Sequence, residues 1–311
     1  MADIGRSSIS GAWRRLWSWL RTPFCIPLRI SRCCTDRRRA ARVIPLYWAV
    51  TLFTAGLALW APSLFKTMTF DFSQLWRSLL FIPFFNETSG GIHPIYKLGW
   101  TLNYEVYFYL CFALLWFLGA TARVVTLTVL FVGLAVFGGV AKPSSDLAIF
   151  YTSFMPLAFC AGMGLGLMAL LGTFRSSTGS LIAIGVLGFS GLVLGLAWPA
   201  TEVEDWTAFV GCLVFASAAV FLGVQLEAVL PKFSLLERSG NASYSTYLSH
   251  IYVVGGLSWL AYAVLPSGNG VVYVAVAIST IACASGVGLL LHRSLEVPLG
   301  RWLAPLSAKS Q

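Results

Sequence analysis

Charge is what this sequence has least of. Only 11% of its 311 residues are Asp, Glu, Lys or Arg, and only twelve of these are acidic; a soluble globular domain carries roughly 25%. The shortage excludes an ordinary water-soluble fold. Histidine is scarcer still. His93, His250 and His292 are the only three, and none is spaced with another His or Cys as a metal set requires, so no metal site is expected. Seven cysteines, at 25, 33, 34, 111, 160, 212 and 283, form neither a disulfide framework nor a zinc pattern. Residues 1 to 42 lack a long apolar run, which excludes an ordinary signal peptide. No repeat of solenoid period is present.

Apolar residues take the place of charge: 58% of the chain is hydrophobic and the mean hydropathy is +0.78. Windows of about 20 apolar residues, the length that crosses a bilayer, fall at 43–61, 98–118, 124–141, 147–172, 180–199, 207–226, 244–265 and 271–292. The sequence thus predicts an all-α, polytopic helical membrane protein with about eight transmembrane helices, and the lipid bilayer is its first partner. The run QLWRSLLFIPFF, 74–85, is too short to span and reads as interfacial. Small-residue pairs such as Gly162 and Gly166 suit close helix packing.

The little charge there is lies unevenly. Of a net +9, residues 1 to 42 hold +8, from ten arginines against Asp3 and Asp36. A basic excess ahead of a first span marks a cytoplasmic end drawn to anionic lipid; with no nucleic-acid-binding fold beside it, no nucleic acid is expected as a partner. The chain divides into three segments: a basic head, 1–36, in which Trp, Arg and Pro interleave; a transmembrane domain, 37–303; and a short tail, 304–311. With the head inside, the inner turns carry Arg123, Arg175, Lys232 with Arg238, and a tail with Arg293, Arg301 and Lys309. The outer turns carry Lys142 with Asp146, the acidic TEVED, and the uncharged SGNG. Both termini are expected in the cytoplasm. The long connection 62–97, assigned outside, breaks the pattern with Lys66, Arg77 and Lys97.

Three motifs carry polar groups into this apolar background. In GWTLNYEVYFYL, 99–110, Glu105 sits within a predicted span, where an ionised carboxylate costs at least about 2.5 kcal/mol and therefore faces protein or water. Thr101, Glu105 and Tyr109 recur every four residues and form one polar stripe, with Tyr104 beside it. Such a carboxylate either locks two helices together or orients a base or a hydroxyl substrate. In RRRAARVIPLYW, 37–48, Arg39 and Arg42 share a helix face at the membrane surface. They serve either as a positive anchor or as a bidentate grip for phosphates. In NASYSTYLSHIYVV, 241–254, Ser243 is a plausible helix cap, and Tyr247 and His250 point toward the interior, where a histidine is either a hydrogen-bonded packing residue or a catalyst. His93 lies in the long connection, and His292 lies near Arg293 and Glu296. Asn86 and Asn241 match glycosylation sequons.

RRAARVIPLYW, HPIYKLGWTLNYEVYFYL, NASYSTYLSH and LHRSLEVPLGRWL, in that order and spacing, resemble the acyltransferase 3 family, and most of all its exopolysaccharide-modifying branch. The resemblance covers about residue 37 to the end. It implies a bacterial inner-membrane enzyme that moves an acyl group, acetyl being the usual one, from cytoplasmic acyl-CoA to a hydroxyl of a polysaccharide or lipid-linked sugar on the far side. It implies that Arg39 and Arg42 meet the CoA phosphates, that Glu105 and His250 are the catalytic candidates, and that His93, Asn103, Tyr104 and Tyr247 contact the acceptor. Ser243 and Tyr244 belong to the same matched segment as Tyr247 and His250. Family members open with two further spans, the first bearing the histidine taken as base. Here no span precedes residue 37 and no histidine precedes His93, so the resemblance also implies a chain of low activity. A small-solute transporter or a nonfunctional membrane remnant are the alternatives; inverted repeats or paired broken helices would mark the transporter, and neither is visible.

Orientation follows from the turns. Reporter fusions after Gly119 and Gly172 are expected to read as cytoplasmic and a fusion after Ala200 as external. Inverted signals at all three would overturn the assignment.

Overall fold

The computed structural model describes residues 33–60, 71–172, 177–197, 206–226, 234–264 and 270–300. The basic head before residue 33, the turns bearing Lys66, Arg175, TEVED and Lys232, most of SGNG, and the tail after residue 300 lie outside the described residues. In chain order the elements are α1 (Cys33–Trp60), α2 (Phe72–Leu79), β1 (Phe85–Asn86), β2 (Gly91–Ile92), a 3-10 turn (Lys97–Gly99), α3 (Trp100–Leu114), α4 (Ala120–Ala141), α5 (Asp146–Tyr151), α6 (Leu157–Leu170), α7 (Thr178–Ala197), α8 (Trp206–Leu226), α9 (Ser234–Asn241), α10 (Ser243–Val264), α11 (Gly270–Leu291) and a π-helical turn (His292–Glu296). The architecture is helical except for one two-residue antiparallel ladder, Phe85 opposite Ile92 and Asn86 opposite Gly91.

Among the described residues six helices have the length and apolarity to cross a membrane: Val43–Trp60, Ala120–Ala141, Thr178–Leu196, Trp206–Leu226, Ser243–Val264 and Val272–Gly300. Two of the eight predicted spans are shorter. The run 147–172 is divided into α5 and the 14-residue α6, which starts behind Pro156 at its N-cap; a proline lacks the N–H that a continuous helix would use. The run 98–118 yields the 15-residue α3, about 22 Å long at 1.5 Å per residue. Arg123, on the next helix, holds the stop in place. Its guanidinium donates to the carbonyls of Leu115 (3.0 Å), Trp116 (2.6 Å) and Leu118 (2.8 Å) and lies 4.7 Å from the centre of the Phe112 ring.

The described residues form two compact units, one within Tyr104–Pro231 and one from Ser31–Asn103 with Lys232–Gln311. In the first, Phe108 and Phe112 of α3 bury against Val124, Leu127 and Phe131 of α4 and Cys160 and Met163 of α6. Helices α7 and α8 meet where side chains are missing: a Cβ on Gly211 would lie 2.7 Å from the Gly195 nitrogen and 2.8 Å from the Gly191 oxygen. This is the small-residue packing expected of membrane helices. Their outer faces, with Ile182 and Phe189 more than 60% exposed, are apolar surfaces suited to lipid rather than water.

The second unit is organised by tyrosines. Its core is Leu46, Tyr47, Tyr96, Leu102 and Leu248. Helices α1 and α10 run side by side in the same direction: the Tyr244 hydroxyl donates to the Val43 carbonyl (2.8 Å), and farther along each helix the hydroxyls of Thr54 and Tyr252 are bonded. The segment 71–99 returns to the starts of both. Tyr47 donates to the Ser78 carbonyl (3.0 Å), Trp48 Nε1 to the Leu79 carbonyl (2.9 Å), and Tyr96 to the Leu248 carbonyl (2.6 Å). Since α1 continues for about 20 Å beyond Tyr47, this segment does not stay at the far end where an external loop would lie. Arg77 and Lys97, two of the charges that broke the inner-positive pattern, therefore sit on a segment packed at the arginine-rich end of α1. The run expected to be interfacial forms α2, whose Phe72, Trp76 and Leu80 are exposed along one side. Helices α10 and α11 touch most closely at Gly288, where a Cβ would lie 2.6 Å from the Thr246 Cα.

Replacing Arg123 with Gln should leave main-chain carbonyls at the end of α3 without a charged donor. A loss of roughly 1.5–3 kcal/mol is expected, read as a lower thermal midpoint of the detergent-solubilised protein with its helix content intact at room temperature.

Candidate functional site

Along α10, Ser243, Thr246, Tyr247 and His250 recur at i, i+3, i+4 and i+7 and so share one helix face. With Ser239 of α9 and Ser285 of α11 they line a cavity of about 320 Å³. Among the described residues four aliphatic hydroxyls, one phenol and one imidazole make up this lining, with neither a carboxylate nor a cation. Such a surface offers many hydrogen bonds without a formal charge and suits a neutral polar ligand.

His250 has a defined tautomer. Its Nδ1 lies 2.7 Å from the Tyr247 carbonyl, and a carbonyl only accepts, so Nδ1 carries the proton in the neutral ring. Nε2 then holds the lone pair, and it makes no hydrogen bond among the described residues. The Tyr247 ring packs against the imidazole at 5.8 Å. Tyr247 is anchored from α3: its hydroxyl lies 2.8 Å from that of Thr101, and the two lie 3.2 and 3.0 Å from the Leu98 carbonyl. One hydroxyl therefore donates to the carbonyl and the other to its neighbour.

Arg39 and Arg42 belong to the opening turns of α1, immediately before Val43. The Tyr244 hydroxyl holds the carbonyl of Val43, the first residue after that basic stretch. A cavity lined by hydroxyls and an imidazole whose Nε2 makes no hydrogen bond among the described residues thus lies within the second unit. Residues 37–289 match the family described as Acyltransferase domain. The chain belongs to the acyltransferase 3 family. It is 29% identical over 273 residues to the Exopolysaccharide production protein ExoZ of Rhizobium meliloti (strain 1021), a match covering 85% of this chain and 80% of that protein. No solved structure matches it.

The other expected site residues of this membrane acyltransferase are placed differently. Glu105, in the first unit, is half-buried and accepts from Tyr109 at 2.8 Å; the expected stripe is divided, because Thr101 turns to Tyr247. Tyr104 stacks on Phe150 at 4.0 Å and 10°. Asn103 is 3% exposed, and its buried Oδ1 has no hydrogen-bond partner among the described residues; it is not among the residues that line the cavity. His93 does not line the cavity. It lies just after the β1–β2 hairpin, its Nδ1 3.3 Å from the Ser89 hydroxyl, its ring over Gly91, where a Cβ would lie 2.6 Å from the imidazole. Asn86 is buried in the same hairpin, and its Oδ1 accepts from the backbone of Thr88 and Ser89, so this sequon is folded away; Asn241 is exposed.

One group was missed from sequence. Behind the cavity wall Ser245 donates to Glu296 Oε2, which also receives His292 Nδ1 at 3.0 Å. The i, i+4 spacing of His292 and Glu296 was readable; the bond to Ser245, 51 positions away, had no local signal.

Burial, and secondarily the charge of Lys97, hold His93 below the usual histidine pKa of 6.5. The unfolded chain therefore binds the proton first as pH falls. The associated stability is complete above about pH 6.5 and is lost on acidification through the folded value. His93→Asn should flatten the decline in thermal midpoint between about pH 7 and 5; an unchanged slope would return that decline to other groups.

Proposed function

We propose that this acyltransferase moves an acyl group, acetyl being the simplest, from acyl-CoA to a hydroxyl of a polysaccharide or lipid-linked sugar. The observation that carries the reading is His250, which lines the cavity with Nδ1 committed to a carbonyl and Nε2 bare. As the acceptor oxygen attacks the thioester carbon, its proton passes to Nε2. The carbon–sulfur bond then breaks, and the imidazolium returns the proton to the departing CoA thiolate. The hydroxyls of Ser243 and Ser285 are suited to donate to the oxyanion formed between the two steps. No histidine precedes His93 in this sequence, and His250 is the one that lines the cavity.

Arg39 and Arg42 are the proposed grip for the donor phosphates, a reading supported by their place in the matched segment immediately before Val43, which Tyr244 of α10 holds. Guanidiniums bind phosphate bidentately and keep their charge at any cellular pH. On the acceptor side Asn103 has the best support, from its unspent carbonyl oxygen. Tyr247 forms part of the cavity wall; His93, Tyr104 and the Glu105 carboxylate are further proposed contacts, Glu105 as a second catalytic group. The exopolysaccharide named for the relative in Rhizobium meliloti favours a sugar acceptor. The proposed setting is a bacterial inner membrane with both termini in the cytoplasm, and with the segments 1–36, 37–303 and 304–311 as head, transmembrane domain and tail.

The test uses the full chain in lipid nanodiscs with acetyl-CoA and a panel of lipid-linked and free saccharides. His250→Asn should lower transfer by about 100-fold or more, the usual scale of a general base, with donor binding kept. The double replacement Arg39→Gln with Arg42→Gln should weaken donor binding instead. Equal rates for His250→Asn and the unaltered chain would remove His250 as base. Failure of the unaltered chain on every acceptor would refute sugar acylation.

A further inference from the structure

We propose that Glu296 is a positioning residue: by holding Ser245 it fixes the first turns of α10 and so the presentation of His250 in the cavity, an inference that rests on His250 being the base. Glu296 is 2% exposed and Ser245 0%. A carboxylate buried this deeply is costly unless hydrogen bonds hold it. Its Oε2 receives both the Ser245 hydroxyl and His292 Nδ1, and bonds to an ionised acceptor are the stronger kind.

The π-helical turn His292–Glu296 delivers the carboxylate. The Val297 N–H bonds to the His292 carbonyl five residues back, one residue more than an α-helix allows. This widened turn rotates its own side chains relative to the cavity-lining face of α11. One helix therefore contributes both a wall residue, Ser285, and the carboxylate that reaches α10.

Helix α10 is pinned at two adjacent residues. Thr246 meets Gly288 with no space for even a methyl group, and Ser245 is tied to Glu296. The steric contact sets how near the two helices come, whereas the hydrogen bond sets rotation of α10 about its own axis. His250 stands five residues farther along, so a rotation released at Ser245 would swing its Nε2 away from the cavity. Glu296 is not among the lining residues and touches no reacting atom, which makes its contribution one of position.

The test reads His250 directly. The full chain in nanodiscs is treated with diethyl pyrocarbonate, which modifies an unprotonated imidazole nitrogen, and the His250 peptide is followed by mass spectrometry beside transfer kinetics. Glu296→Ala should change the rate of His250 modification by about tenfold, the scale of a lost bond to a charged group, and lower kcat while KM for acetyl-CoA holds. Glu296→Gln, which keeps a carbonyl oxygen in place, should restore both. If Glu296→Ala does not insert, Ser245→Ala carries the test, with a smaller change in the same direction. Unchanged His250 reactivity in the inserted variants overturns the proposal, and so does Glu296→Gln behaving like Glu296→Ala. Because reactivity is read without turnover, lack of transfer by the unaltered chain counts against the base assignment alone.

Discussion

The second unit depends on tyrosine hydroxyls given to main-chain carbonyls. In a bilayer an irregular segment is tolerated only where its polar backbone finds partners within the protein. Tyr47 supplies such a partner at Ser78, and Tyr96 and Tyr244 bind helical carbonyls at Leu248 and Val43. Each ring adds apolar burial to its single donor, so one side chain both fills the core and satisfies the chain beside it. Without these bonds the segment 71–99 would lose its ties to α1 at Ser78 and to α10 through Tyr96, and α1 would lose one of the hydrogen bonds that set its register against α10.

That register sets the chemistry available. The described residues that line the cavity carry no formal charge. Under the proposed function the donor's phosphates are met by Arg39 and Arg42, while the reacting groups lie among hydroxyls and an imidazole, so donor binding and proton transfer draw on different residues.

Much of this was legible in the sequence because hydrophobic length and polar exceptions are local signals. Six of the eight expected spans, and the inward turn of Tyr247 and His250, come from counting residues. Three features are not local. Pro156 and Arg123 shorten two runs that hydropathy alone reads as full spans, because hydropathy does not see a missing N–H or a guanidinium aimed at carbonyls eight residues back. The return of 71–99 to the start of α1 is set by tyrosines 31 and 152 positions from their partners. Glu296 carries its charge at the end of the last long helix, where a count of loop charges treats it as solvent-facing, yet it is buried by Ser245 from another helix.

Arg123 has a consequence for how the protein meets its lipids. It counts toward the net charge of +9, but it is 5% exposed and three carbonyls take up its guanidinium. A cation committed in this way cannot exchange counterions with the aqueous layer over anionic headgroups. The electrostatic part of lipid association should accordingly fall less steeply with ionic strength than the arginine count suggests, and the chain's apparent valence at the membrane surface is smaller than its formal charge.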